Sequence, residues 1–304
     1  VGIVSNSDGH KGRPGASHPG ATKFGSYGGL TCNLAPAFSR AGLMEAMKKR
    51  HHYGTTGCRM VLDTCTVFDN PAEHFSDDPN LGNVTSEMVS SAMMGDILKS
   101  GDDEVTFKID VHGSAPIERI DIRNGLETVE VFRPYAETDL GRRIRVLWEG
   151  SEYRGRGRET IWDGHAELDG NAFQCLNPIN RHNLDKRFDQ VGDNRLEWTG
   201  LTTGGFGGFD AWLEDPESGT LKIDTDLVKE EIAIKDIGYD EVIFANGGID
   251  RRIRIFRLPD ENPHRTVSLE RRMKVAADKD NAYYVRITQE DGHFIWSSPI
   301  YVFK

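Results

Sequence analysis

The feature of this sequence that most limits its fold is a period-two hydrophobic pattern, which begins at Glu104 and recurs through the rest of the 304 residues. Its first occurrence places apolar residues at alternate positions: Val105, Phe107, Ile109 and Val111. Successive side chains of a strand point to opposite faces, so this alternation predicts a strand with one buried face. Further strands are expected at 142–149, 158–168, 195–202, 208–214, 219–225, 229–236, 240–246, 251–258, 265–274, 282–289 and 293–303. Many short strands, turn-rich joints and almost no helix predict a mainly β fold, with an antiparallel β-sandwich-like domain over residues 104–304.

A hairpin is predicted where two apolar patterns flank Asn124-Gly125. The flanking apolar residues are Ile117, Ile120 and Ile122 before the pair and Val129, Val131 and Phe132 after it. Asn-Gly between two such runs is a strong signal of a tight hairpin turn, because both residues accept a positive φ.

The first 35 residues have a different character. Val1 to Val4 form a short apolar run, which predicts a buried strand. Residues 5–35 are rich in glycine, proline and serine and predict a long loop. Loops of that length are usually functional or disordered.

A helix and a strand are expected next. Ser39 suits an N-cap, and the apolar spacing that follows predicts a short amphipathic helix over 40–50, with Met44 and Met47 packed in the core. Residues 55–67 contain β-branched side chains and predict a strand. Residues 69–103 contain several turn signals and are interpreted mostly as a connecting segment.

Asp8 and His10 are the residues in the long loop best suited to chemistry. Being two apart on an extended chain, they can point to the same side, and Gly9 lets the backbone bend between them. A carboxylate and an imidazole that converge at a strand end suit a divalent transition metal. The short motif leaves a simpler interpretation open, in which Asp8 caps a turn and His10 is a polar loop residue.

Longer motifs around this pair carry a family resemblance. They are Ser7-Asp8-Gly9-His10, Gly12-Arg13-Pro14-Gly15, Phe24-Gly25-Ser26-Tyr27-Gly28-Gly29, Arg50-His51-His52-Tyr53-Gly54-Thr55-Thr56-Gly57, Tyr283-Tyr284-Val285-Arg286 and Trp296-Ser297-Ser298-Pro299. Together they resemble the C-terminal end of the catalytic domain of the PHP (polymerase and histidinol phosphatase) superfamily. The closest likeness is to the large branch of that superfamily labelled a domain of unknown function.

The resemblance implies a metal-dependent hydrolase that acts on phosphoester-like bonds at the mouth of a distorted β/α barrel. Asp8 and His10 match its metal-binding motif and would bind Zn, Mn or Fe, with two or three ions in the complete site. Members of this branch carry an early His-x-His pair, and none occurs in these 304 residues. We therefore expect the C-terminal end of the barrel at 1–68, a connecting segment at 69–103 and the β domain at 104–304. The expected partner is the N-terminal half of the protein, in the same or a separate chain.

Neighbouring residues are candidates for binding a small anionic substrate. Arg13 could make a bidentate phosphate contact with a catalytic role, and Lys11 lies beside it; both could equally be solvated loop charges. His18 stands where the branch often has an aromatic residue. His51 and His52 close the predicted helix and open a strand, so either can face the cleft or complement the helix end.

Composition narrows the classes of partner. The formal net charge of −11 disfavours nucleic acid and anionic membranes, and no apolar run approaches membrane-spanning length. The four cysteines lack metal-ligand spacing and are interpreted as free thiols. These observations predict a soluble protein of the cytoplasm or periplasm. Two functions stay open: part of a metal-dependent hydrolase, or a β-sandwich binding or assembly module with no catalysis of its own.

Overall fold

The structure, a computed structural model, describes residues 1–7, 27–155 and 158–304. It confirms the predicted mainly β fold with antiparallel sheets. The chain forms two compact units, which we call unit 1 (Val1–Pro134 with Pro263–Lys304) and unit 2 (Tyr135–Asn262). Of the helices in the described ranges, none has the length and hydropathy that crossing a membrane requires.

The elements follow one another along the chain in three groups. The first group, in unit 1, is β1 (Leu30–Asn33), α1 (Arg40–Lys48), β2 (His52–Thr55), β3 (Val61–Phe75), a 3-10 helix (Pro79–Leu81), β4 (Ser86–Met93), β5 (Ile97–Lys99), β6 (Glu104–His112), β7 (Ile117–Asn124) and β8 (Glu127–Phe132). Unit 2 comprises a 3-10 helix (Glu137–Asp139), β9 (Arg143–Ser151), β10 (Thr160–Ile161), β11 (Gly164–Asp169), β12 (Phe173–Ile179), β13 (Phe188–Val191), β14 (Arg195–Trp198), β15 (Leu201–Thr202), β16 (Phe206–Leu213), β17 (Thr220–Thr225), β18 (Lys229–Ala233), a 3-10 helix (Ile234–Asp236), β19 (Val242–Ala245) and β20 (Ile249–Leu258). The chain then returns to unit 1 with β21 (Thr266–Lys274), β22 (Asn281–Gln289), β23 (Phe294–Ser297) and β24 (Ile300–Phe303).

Unit 1 is built on one long sheet, with the strand order β1-β2-β23-β22-β24-β5-β3-β6-β21 in the described residues. Strand β4 pairs with β3, β7 pairs with β22, and β8 pairs with β7. The alternation predicted from Glu104 is confirmed in β6, where every second side chain is buried in the core of this unit. The hairpin is confirmed as β7–β8, although its two-residue loop is Gly125-Leu126, with the positive φ at Gly125.

Unit 2 is a sandwich of two antiparallel sheets, β13-β14-β11-β17-β18 and β12-β16-β9-β20-β19. Apolar side chains from both sheets share one core. Trp148 and Trp198 stack there with ring centroids 5.0 Å apart, and Trp162 is fully buried beside them. These three tryptophans are therefore core residues of the sandwich.

The structure divides the chain differently from the three parts expected from the sequence. Residues 69–103 are not mainly connection, because they hold the end of β3 and all of β4 and β5. The turn signal Asn70-Pro71 lies within β3 at an irregularity of its pairing with β4. Strand β6 pairs along β3, and β24 runs parallel to β5, so the unit 1 strands within residues 104–304 share their sheet with the preceding residues. The strand expected at 55–67 is divided between β2 and β3.

Helix α1 confirms the predicted helix but not its buried face. The Ser39 side chain accepts a hydrogen bond from Gly42 N at 3.1 Å and caps the first turn. The small residues Gly42 and Ala46 are buried, whereas Met44 and Met47 are half exposed. The prediction that the two methionines pack in the core is therefore wrong.

Candidate functional site

Most residues proposed from the sequence for metal and substrate binding lie outside the described residues. They are Asp8, His10, Lys11, Arg13 and His18. The structure does describe the chain on either side of them, residues 1–7 and the residues from Tyr27 onward. These flanking segments fix the two points that residues 8–26 connect.

Residues 1–7 run beside β1 and β2 but are not assigned to a strand. Val1 is 89% exposed and Val4 is 55% exposed, so the prediction of a buried strand over these residues is wrong. A buried strand needs neighbouring backbone to complete its hydrogen bonds. Here the polar backbone groups are bound mainly by side chains.

Three side chains hold the first half of this segment. The Ser298 hydroxyl accepts from Ile3 N at 3.0 Å, and His52 Nδ1 donates to Ile3 O at 2.7 Å. The Tyr301 hydroxyl donates to Val1 O at 2.9 Å. The backbone of the segment is thus fixed from β2 and from the residues at the start of β24.

The second half is held by β1. The Thr31 hydroxyl accepts from Ser5 N and donates to Ser5 O, both at 2.9 Å. Gly29 N donates to Asn6 O at 3.1 Å. A Cβ atom on Gly54 would overlap Ser5 Oγ, so a glycine in β2 is what allows this close approach.

His52 is a candidate substrate residue that the structure describes. It is 4% exposed, and its ring lies against Gly2, where a Cβ atom would approach Cε1 to 2.6 Å. Because the carbonyl of Ile3 can only accept, His52 Nδ1 carries a proton in this contact. The structure therefore gives His52 an anchoring role towards the segment that leads to Asp8, and its contact with a substrate stays a prediction.

The chain from Tyr27 onward lies beside residues 1–7. The Gly29–Asn6 hydrogen bond joins the two ends of the loop. The Tyr27 ring packs edge-on against His293 at 5.1 Å between centroids, and His293 Nδ1 lies 2.9 Å from Thr56 Oγ1. No pattern in the sequence points to His293, because it is 237 residues from Thr56 along the chain.

A second polar cluster lies at the end of α1. Asp96 Oδ1 is 2.8 Å from His51 Nε2 and 3.3 Å from His74 Nε2, and Asp96 Oδ2 accepts from Met93 N at 2.9 Å. Burial alone would raise the pKa of Asp96. The His51 and Met93 hydrogen bonds and the nearby imidazoles outweigh burial, so this pKa lies below the ordinary aspartate value.

The described residues contain no group of three or more His, Cys, Asp or Glu side chains placed to hold a metal ion. The carboxylate and imidazole of Asp8 and His10 still form a donor set suited to a divalent transition metal. Two donors are fewer than such a site requires, so a metal site there would need further ligands.

Comparison with known proteins places part of this chain beside one family. The model of the family described as "Protein of unknown function (DUF3604)" matches residues 4–128, which is less than half of the chain. The match contains Asp8, His10 and His52, and most of the strands of unit 1 that precede unit 2. No curated protein and no solved structure matches the chain.

Proposed function

We propose that this chain is the C-terminal portion of a metal-dependent hydrolase that cleaves phosphoester-like bonds. The motifs around Asp8 and His10 resemble the metal-binding end of the PHP superfamily. The observation that carries the proposal is the fixed base of the loop, where side chains hold residues 1–6 to β1, β2 and the start of β24. Such a base would deliver Asp8 to one defined position, which a ligand to a catalytic ion requires.

Each candidate residue has a role in this proposal. Asp8 and His10 hold Zn, Mn or Fe, Arg13 and Lys11 bind the anionic group of the substrate, and His18 contributes a further polar contact. His52 positions the segment through Ile3. A divalent ion, when bound, would lower the pKa of its water to about 7 and so supply hydroxide.

The remaining metal ligands are proposed to come from an N-terminal half, in the same or a separate chain. This follows from the resemblance, in which an early His-x-His pair completes the site. The β-rich remainder of the chain is then accessory to catalysis. No nucleic acid or membrane takes part in this proposal.

The ligand assignment is tested with Asp8→Asn in a form that includes the N-terminal half. We expect metal content by elemental analysis and hydrolysis of a generic phosphoester to fall together, while circular dichroism stays unchanged. Asp103→Asn is the matched control, because Asp103 is a fully solvated aspartate of unit 1. Unchanged metal content in Asp8→Asn would refute the assignment.

The proposal that this chain holds only part of the metal site is tested with the 304-residue chain alone. It should bind metal poorly and show no turnover. Robust hydrolysis by this chain, free of contaminating enzyme, would contradict it. If the longer form also bound no metal and hydrolysed nothing, the alternative of a binding or assembly module would be favoured.

A further inference from the structure

A polar cleft of about 350 Å³ lies between the end of α1 and strands β3 and β4. Lys49 and Arg50 line it from the helix, His74 and Ser76 from β3 and its end, and Asp96 from the turn before β5. The volume is that of a small-ligand site, but the lining residues other than Phe75 are polar or charged. Such a lining suits a small charged ligand better than an apolar one.

Arg50 has a backbone conformation that is unusual for an arginine. Its φ is +61°, in the left-handed region, at the position after the helix C-cap. The hydrogen bonds from Arg50 N to Met47 O and from His51 N to Ala46 O form a helix-terminating motif in which glycine is the usual residue here. An arginine at this position is strained, so its side chain should have a use that glycine cannot serve.

The Arg50 guanidinium is held but not fully used. Nε donates to Gly95 O at 2.9 Å and Nη1 donates to Lys48 O at 3.3 Å, while exposed Asp77 lies 3.6 Å from Nη1. The described residues provide no hydrogen bond to Nη2. The fork is therefore oriented by the protein with donor capacity left for a ligand.

The buried carboxylate of the cleft, Asp96, is already engaged. Asp96 is bound by two imidazoles and by Met93 N, and Glu87 is a largely exposed side chain 3.7 Å from His74 Nδ1. Ser76 Oγ accepts from Thr85 N at 3.2 Å, which leaves its hydroxyl proton available. The donors that remain are those an anion would use.

We propose that this cleft binds a small oxyanion of the phosphate type, as free phosphate or as a phosphate group of a small molecule. The Arg50 fork would hold the anion, with the Ser76 hydroxyl as a further donor. The Lys49 ammonium pairs with half-exposed Glu45 at 3.0 Å and would exchange this partner for the anion. A cation would need free carboxylates instead. The site uses none of the residues around Asp8 and does not depend on the proposed hydrolase activity.

In the test, the metal-free 304-residue chain is titrated with inorganic phosphate, and binding is measured by isothermal titration calorimetry. Lys49→Ala and Arg50→Gly should each weaken binding at least about tenfold, because each removes a charge-assisted contact. Lys48→Ala is the matched control, since Lys48 lies one residue away, outside the cleft, and should stay within about twofold. Thermal unfolding checks that each variant is folded. If Arg50→Gly does not fold, Lys49→Ala still tests the proposal.

Three outcomes would overturn the proposal. The native chain could fail to bind phosphate at about 10 mM. Lys49→Ala and Arg50→Gly could bind as well as the native chain, which would mean binding elsewhere. Finally, Asp8→Asn could abolish binding, which would place the phosphate at the proposed metal site; we expect this variant to bind phosphate normally.

Discussion

Replacing Asp96 by asparagine should destabilise unit 1 by about 3 kcal/mol. The carboxylate accepts two hydrogen bonds, from His51 and from Met93 N, and His74 Nε2 lies 3.3 Å from it. A hydrogen bond to a charged group contributes about 1.5–3 kcal/mol. Asp96→Asn keeps the shape and an acceptor for Met93 N but removes the charge that the two imidazoles contact. The loss is a large part of a typical stability of about 5–15 kcal/mol.

The sign of the pH dependence follows from the lowered pKa of Asp96. The unfolded chain binds this proton more readily than the folded chain, so the contribution of Asp96 is complete above the unfolded pKa of about 3.9. It is lost as the pH falls through the lower folded pKa. Below about pH 4 the native chain should therefore lose stability more steeply than Asp96→Asn, and the two should converge.

The assay is hydrogen exchange by mass spectrometry on peptides of unit 1, measured against urea concentration at pH 7 and at pH 3. Asp103→Asn serves as the control, because this exposed aspartate pairs only with Lys304 at the surface and should have little effect. Equal free energies of unfolding for Asp96→Asn and the native chain at pH 7 would refute the reasoning. So would an equal loss of stability on acidification.

Three other predictions follow from named contacts. Gly54→Ala should speed hydrogen exchange in residues 1–6, because its Cβ would overlap Ser5 Oγ. Adding Ser5→Gly should restore protection. Unchanged exchange in Gly54→Ala would contradict the close approach. Asp210→Ala should cost about 3–5 kcal/mol in urea unfolding of unit 2, because it removes an ion-pair partner and two hydrogen bonds of 2.7 and 2.8 Å from the buried Arg145 guanidinium. A loss below about 1 kcal/mol would contradict this. Burial raises the pKa of Cys58 to about 11. Its alkylation rate, measured by mass spectrometry, should therefore be low at pH 8 and increase towards pH 11. Fast labelling at pH 8 would show that this thiol is not buried.

Local patterns in the sequence were sufficient for features that depend on neighbouring residues. The alternation from Val105 to Val111 predicts the buried face of β6, and Ser39 predicts the N-cap of α1. Asn124-Gly125 predicts the hairpin, although the loop lies one residue later than the pair suggests. Strand periodicity, caps and turns are properties of a few consecutive residues, so they can be predicted without the rest of the molecule.

Long-range pairing was decided by the tertiary structure. Turn signals at Asn70-Pro71 suggested a connection, yet β3 continues through them because β4, β5 and β6 pair along its length. Unit 2 is an insertion between β8 and β21, and no local pattern marks where the chain leaves one sheet and returns to it. Pairing partners depend on which distant segments complete the backbone hydrogen bonds, which neighbouring residues do not encode.

The same division holds for the candidate site. The residue types and spacing of Asp8 and His10 suggest metal chemistry from the sequence alone. That His52 and Ser298, 246 residues apart, meet at Ile3 is a result of folding, as is the contact of Asp96 with two histidines. Sequence determines which groups are available, and the distances that let them act together arise only when strands far apart in the chain are packed side by side.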